Sequence, residues 1–266
     1  MRVTMHQPEH MPWTGFFHKM ALADQYVVMD MFQYRHQYFQ NRNRIQGVQG
    51  PIWLNVPVLR GCHRYGLIRD VRIDNSRNWR KRYWGSIEYH YHRHPHYARY
   101  AEALHALVHA PWEYLADFNL TLIGFFRSVL AIETPMVLAS NLDTRGQRDA
   151  MILHLARQLG ARTYLSGPSG RDYLDEAPFA EADIAVDYHA YTHPTYAQHR
   201  RTSFTPGLST LDLIMNCGPE SRQVLFGIKP ETILPSPPEG GTGRPSGRRE
   251  PGGAGMLATR SGEPTG

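Results

Sequence analysis

RVTMHQPEHMPWTGFFHKMALADQYVVMD, residues Arg2 to Asp30, reads as strand, loop, helix and strand. Arg2 to Met5 makes a short extended run, and Pro8 and Pro12 bar its continuation as a central strand, because proline lacks the ladder N–H. From Pro12 the apolar residues Trp13, Phe16, Phe17 and Met20 recur at helical spacing, with Pro12 suited to a first turn and Lys19 on another face. Tyr26 to Met29 is a compact apolar run that ends at Asp30. A unit of about thirty residues is the size of one βαβ crossover. Ligands of parallel sheets bind beyond the carboxyl ends of strands, which places His6, Gln7, Asp30 and Gln33 on one rim.

Downstream, Phe39 to Ile45 alternates as an extended chain, so Gln40, Arg42 and Arg44 project to one face and Asn41 and Asn43 to the other. Two arginines on one face form a fork suited to phosphate or carboxylate; an exposed polar turn is the competing reading. Ile52 to Val58 reads as a strand, with Pro57 marking an edge, and Leu67 to Ile73 as another paired with it. Between Asp74 and His96 lie Trp79, Trp84 and the row His90, His92, His94, His96. Ligating histidines on a helix sit three or four apart, so a spacing of two argues against a metal there and for a polar, partly aromatic surface.

Tyr97, Tyr100, Leu104 and Leu107, then Leu115, Phe118, Leu122, Phe125 and Val129, predict two core helices separated by Pro111. A second βαβ unit follows: a strand at Pro135 to Ser140, a helix capped by Asp143 with Met151, Ile152, Leu155 and Leu159 on its apolar face, and a strand at Thr163 to Leu165. The turn from Ser166 and Gly167 to Tyr173 offers hydroxyls and backbone N–H groups to an anion, and ordinary turn chemistry accounts for it equally. Ile184 to Val186 reads as a strand and Ser209 to Cys217 as a helix. The expected class is α/β, a Rossmann-like three-layer sheet with parallel βαβ units and a helical insertion, over residues 1–227.

From Pro235 to Gly266 there are 15 Pro and Gly in 32 residues, too little apolar surface to fold, so residues 228–266 are expected to be a disordered Pro/Gly-rich tail. The net charge of +5 is uneven. Arg35 to Arg93 carries +9 and the remainder −4, which implies an anionic partner or a solvated basic face. Cys62 and Cys217 fit neither a disulfide framework nor a metal knuckle. No stretch has the pattern of a signal peptide or a membrane span, so a cytoplasmic location is expected, with no membrane partner.

The chain resembles the WbqC-like proteins over most of Met1 to about Leu225. The likeness rests on His6-Gln7-Pro8, Pro12-Trp13-x-Gly15-Phe16-Phe17-x-Lys19, Ala23-Asp24, Asp30-x-x-Gln33, Phe39-Gln40-Asn41-Arg42-Asn43-Arg44-Ile45 and Trp53-Leu54-x-Val56-Pro57-Val58. It continues through Leu165-Ser166-Gly167, Asp172-Tyr173-Leu174, His193-Pro194-x-Tyr196-x-Gln198 and Leu208-Ser209-x-Leu211-Asp212-Leu213-Ile214-x-Asn216-x-Gly218. The resemblance implies a context of O-antigen and other surface-polysaccharide biosynthesis. A second, looser likeness is to nucleotidylyltransferase-like Rossmann proteins, although the His-x-Gly-His signature is replaced by His6-Gln7-Pro8.

The expected function is a cytoplasmic transferase that moves an acyl or aminoacyl group onto an amino sugar or related amine. His6 is its general acid/base and Asp30 the residue that orients the amine or His6. Substrate contacts are expected from Gln7, Trp13, Lys19, Gln33, Gln40, Asn41, Arg42, Asn43, Arg44, Ser166, Gly167 and Tyr173. The cofactor is left open between ATP and a CoA or carrier-protein thioester, the latter bringing an acyl carrier protein as partner. The alternative is a non-catalytic module that binds a nucleotide sugar or, less favoured, a nucleic acid.

Overall fold

The computed structural model describes residues 1–63 and 66–227, without the side chains of Cys62 and His63, and the tail expected over 228–266 lies outside the described residues. Five strands build the main sheet: β1 (Arg2–His6), β2 (Gln25–Val28), β5 (Met136–Leu138), β6 (Thr163–Ser166) and β7 (Ala185–Tyr188), in the order β5-β2-β1-β6-β7. Every pairing in it is parallel. A hairpin of β3 (Arg42–Gly47) and β4 (Gly50–Asn55) stands apart as a two-stranded antiparallel sheet.

Helix α1 (Thr14–Ala21) crosses from β1 to β2. Helices α2 (Trp79–Tyr91), α3 (Tyr97–His109) and α4 (Leu115–Val129) form the insertion between β4 and β5. Helices α5 (Asp149–Gln158) and α6 (Ala177–Glu181) precede β6 and β7, and α7 (Thr210–Cys217) and α8 (Ser221–Leu225) close the described chain. Strand alternation sorts the core into two bodies, one on each face of the sheet. Tyr26 and Val28 of β2 join Phe16, Phe17, Phe126 and Leu213 from α1, α4 and α7. Val3, Met5 and Val27 join Ile152, Leu155 and Phe179 from α5 and α6. Each fully buried aromatic or aliphatic side chain contributes roughly 1.5–3 kcal/mol, so these two faces hold the three layers together.

Four expectations are corrected. Leu67 to Ile73 is no strand: Ile68–Asp70 is a 3-10 turn, and the segment touches its neighbours through single bridges, Gln33 with Leu67 and Val58 with Ile73. The strand expected at Ile52 to Val58 begins at Gly50 and stops at Asn55, two residues before Pro57. Asp143 does not cap α5; it pairs with Arg145 (2.8 Å) and His154 (3.6 Å), and Arg148 occupies the cap position. The segment read as polar surface contains α2, whose Trp79, Tyr83, Trp84, Ile87 and Tyr91 are buried.

Candidate functional site

The strand order reverses at β1: its first crossover leads to β2 on one side, and β6 later returns on the other. At such a switch point the loops leaving two neighbouring strands diverge and open a crevice. A cavity of about 750 Å³ lies there, against about 510 Å³ for the groove along β7 lined by Arg2, Asp187 and His189. Met5, His6, Gln7 and Glu9 line it from β1 and its loop, Trp13 from the cap of α1 and Lys19 from α1 itself, and Phe32, Arg35, Tyr38 and Phe39 from the loop after β2. Arg44 of β3 and the Gly167–Gly170 turn with Tyr173 complete the wall.

Three titratable groups meet on its floor. Lys19 is 4% exposed and its Nζ donates to the Met5 carbonyl at 3.1 Å, leaving two of three ammonium donors for other partners. Burial lowers its pKa to about 8, with nearby Glu9 opposing the shift. Glu9 is 7% exposed, and its Oε2 is buried without a hydrogen-bond partner. Burial raises its pKa to about 7, with Lys19 pulling the other way. The Nε2 of His6 stands 3.9 Å from Glu9 Oε1. His6 Nδ1 lies 3.1 Å from the Gln7 carbonyl, which can only accept, so that nitrogen carries the proton and Nε2 presents its lone pair. Burial and the Lys19 charge hold the imidazole well below its usual pKa, hence neutral at pH 7.

Of the residues anticipated for binding or chemistry, His6, Gln7, Trp13, Lys19, Arg44, Gly167 and Tyr173 line this cavity. Asp30 does not: it is buried, and its Oδ1 accepts the Ser140 N–H at 3.0 Å, tying β2 to the turn after β5. The carboxylate beside His6 is Glu9 instead. Gln33 sits in the bridge to Leu67. Gln40 lies behind the wall, donating to Gln7 Oε1 (2.5 Å) and accepting the Arg35 N–H (2.7 Å), so it sets two residues that do line the cavity.

The asparagines of the Asn-Arg-Asn-Arg run also serve the scaffold. Asn41 donates to the Val56 carbonyl, and Asn43 to the carbonyls of His10 and Met11, where Met11 holds a left-handed φ of 41°. Asn43 and Asn119, which donates to the carbonyls of Pro8 and Gln40, therefore pin the loop that carries Glu9. The two arginines diverge in use. Arg42 stacks 4.2 Å over Trp53 and donates to the Gln37 carbonyl, outside the cavity wall. Arg44 lines the cavity, with a 3.3 Å bond to the Gly207 carbonyl. Ser166 is buried at the end of β6 beneath its own turn, and a Cβ on Gly170 would fall 2.0 Å from Ser166 Oγ, so the turn closes this tightly only over a glycine.

Glu9, Arg35 and Tyr38 were missed in the sequence. The signal for Glu9 was a carboxylate between Pro8 and His10 in a loop otherwise bound for the interior. Burial pushes the Cys217 thiol up to about 12, so it carries little thiolate at neutral pH. Among the described residues no group of three or more His, Cys, Asp or Glu is placed to hold a metal ion, and no helix is long and apolar enough to cross a membrane.

Fold and cavity together define an α/β protein of Rossmann-like topology with a cavity at the switch point of its parallel sheet, lined by Lys19, Arg35, Arg44 and apolar side chains. The chain belongs to the WbqC-like protein family, which it matches over residues 7–224. It is similar to the uncharacterized protein Rv1507c of Mycobacterium tuberculosis (strain ATCC 25618 / H37Rv), at 31% identity over 228 residues, 84% of this chain and 97% of that protein. No solved structure matches the chain.

Proposed function

We propose that this protein is a transferase that moves an acyl or aminoacyl group onto the amine of an anionic small molecule, such as a nucleotide-activated amino sugar, in surface-polysaccharide or specialised-metabolite biosynthesis. The observation that carries the reading is the group of buried Lys19 and Glu9 with part-exposed His6 at the switch point, facing a cavity rimmed by Arg35 and Arg44. Arg44 and Arg35 take the phosphate or carboxylate of the acceptor. Neutral His6 accepts the proton of the attacking amine at Nε2 as the new N–C bond forms and the bond from the acyl carbon to its carrier breaks. Glu9, in place of Asp30, takes the orienting part by accepting a hydrogen bond from the amine. Lys19 places positive charge beside the oxygen that becomes negative when the carbonyl is attacked. The leaving group departs with its bonding electrons. The donor belongs to the class of activated acyl groups, either an ATP-derived adenylate or a thioester.

The second reading, a binding module without chemistry, draws support from exposed aromatic side chains, one lining the cavity and one outside its wall. Trp53, 47% exposed beneath Arg42, and Tyr38, 5.1 Å from the Arg35 guanidinium, offer stacking surfaces for a base.

The test is thermal denaturation of the full chain with ATP, CoA thioesters, nucleotide amino sugars and short oligonucleotides, for the parent and Arg44→Ala, followed by mass spectrometry of donor–acceptor mixtures. A ligand that binds only the folded state raises Tm by mass action. Stabilisation of the parent but not of Arg44→Ala, with a mass gain on the amine that His6→Ala abolishes, supports the transferase. Stabilisation with no mass gain from any donor supports the binding module, and a mass gain undiminished in His6→Ala removes His6 from the chemistry.

A further inference from the structure

The switch-point cavity has two chemically distinct halves, and the end of β1 divides them. Successive residues of a strand point to opposite faces of the sheet. His6 turns to the α1 face, where its ring meets Phe16 at 5.2 Å, and Met5 turns to the α5 face and joins the core body there. The ionic lining groups Glu9, Lys19 and Arg44 come from the β1 loop, α1 and β3. Across from them stand Met29 just past β2, Ile152 of α5 and Tyr164 of β6, all members of the α5-side core body that also line the cavity. These three elements bring no charged side chain to the wall, and burial raises the Tyr164 pKa, so its phenol stays neutral. Phe32, part-exposed and packed against both core bodies, extends the same wall.

The two halves meet at Lys19. Its Nζ donates to the Met5 carbonyl at 3.1 Å, so the ammonium sits against the backbone of the residue whose side chain begins the apolar half. On the transferase reading, on which this inference rests, the carbonyl under attack lies beside Lys19 and the acceptor extends toward Arg35 and Arg44. The rest of the acyl group then runs over Met5 onto the wall of Met29, Ile152 and Tyr164. A formyl or acetyl group would leave that wall against water, whereas each methylene buried on it tightens binding by up to about fourfold. At about 750 Å³ the cavity has room for both parts, in the upper part of the roughly 300–1,000 Å³ range of small-molecule sites.

We propose that the α5-side half of the cavity is the subsite for the acyl group, that it takes an apolar body of medium alkyl or aryl size, and that Met5, Met29, Phe32, Ile152 and Tyr164 set the donor specificity. The ligand of the whole site is then amphipathic, with an anionic acceptor over the arginines, an amide forming between His6 and Lys19, and an apolar acyl end on the α5 face. Two methionines in the wall suit alkyl and aryl shapes alike, because an unbranched thioether side chain repacks around its neighbours.

N-acylglycines mimic the product, with an amide for the reacting centre, a carboxylate for the arginines and an acyl group of chosen size. Calorimetric titration of the full-length protein compares N-acetylglycine, N-hexanoylglycine and N-phenylacetylglycine for the parent, Phe32→Ala and Ile152→Asn, alongside mass spectrometry of donor–acceptor mixtures. The expected result is binding about tenfold or more tighter for the hexanoyl and phenylacetyl compounds than for the acetyl one, with that gain reduced in each variant. Phe32 is part-exposed, so its truncation keeps the fold, which circular dichroism verifies even if Ile152→Asn does not fold. Absence of binding by the larger compounds, equal affinity across the series, or a gain undiminished in folded Phe32→Ala overturns the proposal. Transfer of an acetyl group with no dependence on acyl size also overturns it, and leaves the transferase reading standing. A size dependence that Phe32→Ala reduces, with no transfer from any donor, upholds the apolar subsite and removes the transferase reading instead.

Discussion

His6 Nε2 stands 3.9 Å from Glu9 Oε1, a carboxylate whose second oxygen is buried without a partner. The pair is too long for a direct hydrogen bond and near enough for one reacting N–H to sit between them. Glu9→Gln keeps the shape and removes the charge. The chain should fold at least as stably as the parent, because a buried carboxylate is costly, while turnover falls about a hundredfold. Unchanged turnover of Glu9→Gln would remove Glu9 from the chemistry.

Lys19 carries a different signature. Its pKa is lowered to about 8 in the folded chain, against an ordinary 10.5, so the unfolded chain binds more protons between those values. Stability therefore rises with pH across that window, and below it the buried ammonium costs on the order of 3 kcal/mol. Lys19→Met should raise Tm at pH 7 and flatten the rise between pH 8 and 10.5, while losing anion binding at the switch-point cavity. A melting curve that responds to pH identically in both proteins would show that Lys19 is not the buried titrating group.

On the acid side one contributor is His10, fully buried, with Nδ1 2.9 Å from Asn119 Oδ1 and Nε2 2.7 Å from the Tyr83 hydroxyl. Burial lowers its pKa to about 4, so the unfolded chain takes the proton first as pH falls through 6.5. Stability contributed by the neutral ring is complete above pH 6.5 and is lost as pH falls toward 4, roughly 3 kcal/mol well below it. Denaturant midpoints of the parent should drop over that range, and His10→Gln should show a shallower drop from a lower starting stability.

How far the sequence could be read depended on whether a residue's role was local. The β1–α1–β2 unit was legible because its periods of two and 3.6 both appear within Arg2 to Asp30. Helix α2 was not, although Trp79, Tyr83, Trp84, Ile87 and Tyr91 keep helical spacing, because Arg80, Lys81, Arg82 and Gly85 fall between them and mask the apolar stripe. The sequence placed Asp30 on the rim beside His6, and only the register of β2 against β5 turned Asp30 toward the Ser140 amide. Asn43 looked like a ligand contact because its partners, the carbonyls of His10 and Met11, lie more than thirty residues away along the chain. Asp212 likewise gathers Tyr91, Tyr196 and Gln198, polar residues whose convergence depends on tertiary packing.

Gly15 and Trp13 give the last prediction. The indole folds back over α1 so closely that a Cβ on Gly15 would lie 2.3–2.6 Å from its ring carbons. Real contacts are never so short, so Gly15→Ala must push the ring away from the helix. Trp13 lines the cavity and stands with Tyr191, centroids 5.4 Å apart, and with His193 at 6.5 Å, so its displacement moves one wall of the site and two aromatic neighbours. Overpacking of this kind costs about 1–3 kcal/mol, which alanine's better helix propensity offsets in part. The expected result is a folded protein with a modestly lower Tm, altered tryptophan fluorescence and ligand affinity at the cavity reduced by about tenfold or more. Trp13→Ala separates the two effects, because it removes the wall without the clash and should make a following Gly15→Ala substitution nearly neutral in stability. If Gly15→Ala costs as much without the indole as with it, the steric account of the Trp13-x-Gly15 pair is wrong.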